Sequence, residues 1–157
     1  MRIENWELSI GQILPLRILP SYFCASTYFG ERLRRARTLS PEDVDELLES
    51  LIGRGLLSES DAGDVRRSDL VVRGLRRDDG AEVYMVVEVS SGVGLGDVER
   101  AARRAEILAR SGLAALPAVA GARITAEASS LAREKRVWQF TNNSTQTALD
   151  SGDASPQ

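Results

Sequence analysis

Val83-Tyr84-Met85-Val86-Val87-Glu88-Val89 sets a single carboxylate inside a run of β-branched, aromatic and other apolar residues. Such a run reads as a strand buried on both faces, where an ionised carboxylate is costly unless it is paired or bound to a metal. Glu88 therefore demands a partner. The functional reading is a binding or catalytic site, and the structural alternative is an ion pair with one of the chain's many arginines.

A second carboxylate lies upstream in Ser68-Asp69-Leu70-Val71-Val72-Arg73, and Asp78-Asp79-Gly80 between the two runs is a strong turn signal. Together they predict a hairpin. A turn centred on Asp78 and Asp79 sets Asp69 directly across from Glu88. One centred on Asp79 and Gly80 sets Asp69 opposite Ser90, with Glu88 its diagonal neighbour. Because side chains alternate along a strand, both registers put Asp69, Glu88 and Ser90 on one face, and a shift by one residue would separate them. Two facing carboxylates resist joint ionisation without a cation, so Asp69 and Glu88 are a candidate site for a hard, oxygen-preferring ion such as Mg²⁺, or Mn²⁺ in its place.

The composition narrows the chemistry. With 157 residues, 43 % of them hydrophobic, the chain is sized for one core. The formal net charge of −3 gives no global positive field, so any surface for nucleic acid must be local. The chain has no histidine, which excludes Ser-His-Asp and Cys-His catalysis and histidine metal sites. Carboxylates must carry the chemistry. Cys24 is the only cysteine, read as a packed thiol beside Tyr22, Phe23 and Tyr28, and a reducing cytoplasm is the expected compartment. The apolar stretch from Ile10 to Phe29 is interrupted by Pro15, Arg17 and Pro20, and no run approaches the roughly 20 apolar residues that span a bilayer. No membrane association is expected, and the apolar residues near the N-terminus point to a homodimer.

Residues 1–27 are read as a lead-in, 28–140 as the domain and 141–157 as a disordered tail, polar and without a periodic apolar face. Phe29 to Arg37 is a short helical or extended segment with a basic side. Ser40-Pro41-Glu42-Asp43 opens a helix whose Val44, Leu47, Leu48, Leu51 and Ile52 form one face, closed near Gly55. Arg54 to Asp61 leads into a polar linker before the hairpin. After it, Gly92, Gly94 and Gly96 match neither the dinucleotide fingerprint nor the phosphate loop. A helix follows from about Asp97 to Arg110, with Val98, Ala101, Ala102, Ala105 and Leu108 as its apolar face. Arg100 and Arg104 have no acid four residues ahead and are expected to be free cations. A strand over Leu116–Ala120, a helix from near Thr125 to Arg136 and a strand at Val137–Phe140 complete a mixed α/β fold.

Asp69 on the first hairpin strand, Glu88-Val89-Ser90 on the second, and the following helix with Arg100-Ala101 and Arg104-Ala105 resemble the PD-(D/E)XK superfamily, in particular its small bacterial members of unassigned role. The resemblance covers roughly Tyr28 to Phe140. It implies a restriction-endonuclease-like mixed β-sheet flanked by helices, with a helical N-terminal part, and a Mg²⁺-dependent endonuclease acting on DNA. Asp69 and Glu88 would bind the metal, and Glu31 would be an accessory acid. Ser90 stands where the family carries a lysine. A serine can position water but supplies no positive charge. The resemblance therefore leaves two readings open. In the first, Arg100 and Arg104 contact phosphate and one of them contributes the cation; in the second, the chain is a catalytically inactive nuclease-fold protein that binds nucleic acid or a partner protein.

Overall fold

The computed structural model describes residues 29–30, 32–141 and 145–146. The expected lead-in over 1–27, Cys24, Glu31 and most of the expected tail lie outside the described residues.

The basic segment after Phe29 is strand β1 (Leu33–Thr38), in which Leu33 and Ala36 are buried and Arg34, Arg35 and Arg37 are exposed. Its pairing shifts between Arg34 and Arg37, and Arg35 takes a positive φ of 52°. This bulge breaks the alternation of two, so the buried positions fall three apart, a spacing that imitates a helix in the sequence.

Helix α1 (Pro41–Gly53) starts at Ser40, whose Oγ accepts from the Asp43 N–H at 3.1 Å while Asp43 Oδ2 accepts from the Ser40 N–H at 3.4 Å. These bonds form a capping box at the helix start that Ser40-Pro41-Glu42-Asp43 marks in the sequence. The expected linker instead contains a second helix, α2 (Glu59–Arg66), capped by Ser58. Strands β2 (Leu70–Arg76) and β3 (Glu82–Val89) form the hairpin, with Leu70 opposite Val87 and Leu75 opposite Glu82. That register centres the turn on Asp78 and Asp79. Gly80 closes it with φ 70°, and Asp79 Oδ1 accepts from the Ala81 N–H at 3.0 Å.

Beyond the hairpin come β4 (Gly92–Val93), α3 (Leu95–Arg110), β5 (Ala115–Gly121), β6 (Arg123–Ile124), α4 (Ala126–Glu134), β7 (Trp138–Thr141) and β8 (Thr145–Gln146). The main sheet runs β1-β2-β3-β5-β7-β8. Its β1–β2, β2–β3 and β7–β8 neighbours are antiparallel, and β3, β5 and β7 are mutually parallel. The short strands β4 and β6 pair separately, Gly92 with Arg123 and Val93 with Ile124. The expected tail thus begins too early. Thr141 belongs to β7, and β8 pairs back onto it.

Both faces of the sheet are covered, as the continuous apolar run of β3 requires. On one face Val71, Tyr84 and Val86 pack against Leu48 and Leu51 of α1, Val65 of α2 and Leu108 of α3. Val119 of β5 joins Val98 and Ala101 of α3 and Ala128 and Ala132 of α4. The opposite face gathers Val72, Met85, Val87 and Ala118 with Phe29 and Phe140, whose rings meet edge to face at 4.8 Å. Among the described residues the helices α1 to α4 therefore lie on a single face. Glu88 emerges on that helical face, beneath α3.

Candidate carboxylate site

Asp69 immediately precedes β2 and Glu88 is the penultimate residue of β3, so the register that places Leu70 opposite Val87 makes them the next pair outward. Asp69 Oδ2 accepts from the Val89 N–H at 2.8 Å, which pins the carboxylate across the hairpin. The Asp69 charge lies close enough to Glu88 to disfavour its ionisation. The face shared by Asp69 and Glu88 is thus as the alternation of side chains requires.

Glu88 is 3 % exposed, and the group it meets is the guanidinium of Arg104, itself 5 % exposed, through Arg104 Nη1 and Glu88 Oε1. Burial pushes the Glu88 carboxyl up to about 7; the neighbouring Asp69 charge adds to this and Arg104 opposes it. Arg104 is held from three sides. Its Nε donates to Asp64 Oδ1 at 3.1 Å, and its Nη1 also donates to the Arg67 carbonyl at 3.2 Å. Asp64, on α2, accepts in addition from Arg103 Nε at 2.7 Å. The Arg103 bond is the largest cause holding the Asp64 carboxyl below its ordinary range, partly offset by burial and reinforced by Arg104.

This placement corrects the expectation of free cations. Arg104 stands three residues after Ala101 and four before Leu108, in the stripe that α3 turns to the sheet, and only an acid beneath it allows its burial. Arg100 is half-exposed, and its Nη2 donates to Asp97 Oδ1 at 2.5 Å, one helical turn back. Ser90 follows the end of β3. Its N–H donates to the Ala120 carbonyl at 3.0 Å and its hydroxyl to the Gly92 carbonyl, also at 3.0 Å.

Sequence reasoning missed Asp64 and Arg67, because it missed the helix that carries the first and ends at the second; Arg103 reaches Asp64 from α3. A signal was present: Ser58 stands three residues before Asp61, a capping spacing, and Ala62 and Val65 are three apart.

Among the described residues no group of three or more aspartate, glutamate, cysteine or histidine side chains is arranged to hold a metal ion. The pair alone is nonetheless chemically suited to a hard cation. Neither Asp69 Oδ1 nor Glu88 Oε2 accepts from an N–H among the described residues. Mg²⁺ is commonly held by only one or two carboxylates, with waters and phosphate oxygens completing its shell. No helix among the described residues is long and apolar enough to cross a membrane. Compared with known proteins, the chain matches no family model, no curated protein and no solved structure.

Proposed function

We propose that the chain is a divalent-metal-dependent phosphodiesterase acting on DNA, built on a restriction-endonuclease-like fold and working in the bacterial cytoplasm. The observation that carries the reading is the Asp69–Glu88 pair, each carboxylate anchored by one oxygen and the second oxygen of each free of protein N–H donors among the described residues. Mg²⁺ or Mn²⁺ bound there would polarise a phosphodiester and lower the pKa of a bound water. Asp69 and Glu88 would hold the ion. Arg104 supports the reading because it brings fixed positive charge to Glu88 of the acid pair, and as an arginine it acts electrostatically rather than as a base. The order of hairpin, helix α3 and parallel strand β5 is also the one the resemblance implies.

A second reading, a nuclease fold that binds nucleic acid or a partner protein without cutting, is favoured by Ser90. Its hydroxyl is committed to the Gly92 carbonyl and offers no charge. A plasmid-nicking assay with Mg²⁺ and with Mn²⁺ separates the two. On the first reading the wild type nicks, chelation stops it, and Glu88→Ala and Arg104→Ala each remove most of the rate. Nicking that survives Glu88→Ala would be contamination. Silence in the wild type and in Ser90→Lys, with DNA or protein binding intact, would leave the second reading.

A further inference from the structure

One carboxylate, Asp64, faces three guanidinium groups. Arg103 Nε lies 2.7 Å from it, Arg104 Nε 3.1 Å and Arg67 Nη1 4.0 Å. Arg104 is buried and belongs to Glu88. The other two are at the surface, the Arg67 side chain 71 % and the Arg103 side chain 54 % exposed, while that of Asp64 is only 17 % exposed. Arg103 spends Nε and Nη2 on Asp64 and keeps Nη1 free. At 4.0 Å Arg67 is beyond hydrogen-bonding range, so its whole fork of donors is uncommitted among the described residues. Asp64 can balance only one of these two exposed charges. Glu99, four residues before Arg103 on α3, is the other surface acid within electrostatic reach of Arg103.

Location gives this excess its meaning. Arg67 caps the end of α2 two residues before Asp69, and its own carbonyl accepts from the Arg104 guanidinium that touches Glu88. Its main chain is thus tied through Arg104 to the carboxylate pair, with its exposed side chain beside Asp64. We infer that Arg67 and Arg103 form the phosphate-contacting rim of the site and bind the backbone of a DNA strand presented to Asp69 and Glu88. The inference rests on the phosphodiesterase reading for its choice of ligand. It gives phosphate contact to Arg67 and Arg103, which the sequence reading did not place at the site, and withdraws it from Arg104, which is buried. Planar guanidinium forks suit phosphate oxygens, and exposed ones can reorient toward them at little desolvation cost.

The test is fluorescence anisotropy of a labelled DNA duplex with the full chain and no divalent cation, over a salt series of roughly 50–200 mM. Joint replacement Arg67→Gln with Arg103→Gln should weaken binding about tenfold or more and lower the slope of log affinity against log salt by about 2, one for each phosphate no longer neutralised. Arg67→Lys with Arg103→Lys should restore most of the slope. Arg34→Gln with Arg35→Gln, on the exposed edge strand β1, should change it far less. Thermal unfolding monitors the fold, and if the double glutamine variant is destabilised, Arg67→Gln alone carries the test through a slope lowered by about 1. An unchanged slope in the rim variants, an equal effect from the β1 pair, or no DNA binding by the wild type overturns the inference. Its failure is distinguishable from that of the phosphodiesterase reading. A wild type that binds through the rim yet never nicks retires only the enzyme, and one that nicks with the rim slope unchanged retires only the rim.

Discussion

Glu88 is pulled in opposite directions, by burial and Asp69 toward the neutral acid and by Arg104 toward the ion, and the balance leaves its carboxyl at about 7 against an ordinary 4.5. The folded state therefore binds a proton more readily than the unfolded chain between those two values, and ionising Glu88 costs the fold. Stability should fall as pH rises through that window and be level on either side of it, with an amplitude of about 3 kcal/mol. Asp64 has the opposite sign, since its lowered pKa stabilises the fold above the ordinary value of 3.8 and that stability is lost only in stronger acid. The chain has no histidine to titrate between pH 5 and 8, and among the described residues Glu88 is the carboxyl raised into that window. The unfolding midpoint should drop by several degrees from about pH 5 to about pH 8, and Glu88→Gln should flatten that slope. A slope that persists in the glutamine variant would show that another group produces it. Ser90 offers a second prediction at this scale. If the Asp69–Glu88 pair takes Mg²⁺, Ser90→Lys should raise the nicking rate, because an ammonium beside the bound phosphate would offset charge that the serine cannot. A Ser90→Lys protein that folds and binds DNA but nicks no faster than the wild type would tell against a vacated lysine position.

At the level of elements, two glycines separate packing from propensity. The last residue of β5, Gly121, passes so close to the β3 end that an added Cβ would overlap the Ser90 carbonyl oxygen and come within 2.8 Å of Val93 Cγ2. The backbone there cannot easily yield, because the Ser90 N–H is bonded to the Ala120 carbonyl. Gly121→Ala should therefore cost about 1–3 kcal/mol, the usual range for overpacking, and loosen the strand end next to Glu88. Gly63 sits inside α2 with open space around it, and Gly63→Ala should stabilise by about 0.5–1 kcal/mol through helix propensity. Urea unfolding of both variants checks the pair, and equal shifts would mean that the close approach at Gly121 relaxes freely. The elements also show where the sequence could be read. The turn residues and the alternation that a buried face imposes narrowed the hairpin to two registers sharing one face, of which the structure takes the one centred on Asp78 and Asp79. Helix α2 did not, because it is short and buries only Ala62 and Val65. Arg104 was misplaced because charge was taken as a sign of exposure, although its spacing from Ala101 and Leu108 already set it on the buried stripe.

Over the whole molecule, the succession β3, α3, β5, α4, β7 could be read from the sequence because each apolar run is long enough to declare its period, and parallel strands require the intervening helices. The two margins were harder. On β1 the bulge at Arg35 left the segment readable as either helical or extended, and beyond Phe140 composition suggested that nothing structural remained. The structure instead sets Thr145 opposite Phe140 and Gln146 opposite Gln139, so β8 covers an edge that β7 would otherwise leave open. Phe140 is itself almost fully buried, packed against Phe29 and stacked beside Trp138 at 6.4 Å. Ending the chain at Phe140 would strip the β8 ladder and place a terminal carboxylate next to that apolar cluster. Each broken hydrogen bond is worth about 0.5–1.5 kcal/mol, and a misplaced charge adds to the cost. The shortened protein should thus unfold roughly 5 °C or more below the full chain. Ending at Gln146 keeps β8 and removes only a polar stretch without apolar periodicity, so its midpoint should match that of the full chain. Thermal unfolding of the three lengths decides the matter. If all three melt together, β8 contributes nothing to the fold and the tail begins where composition alone would put it.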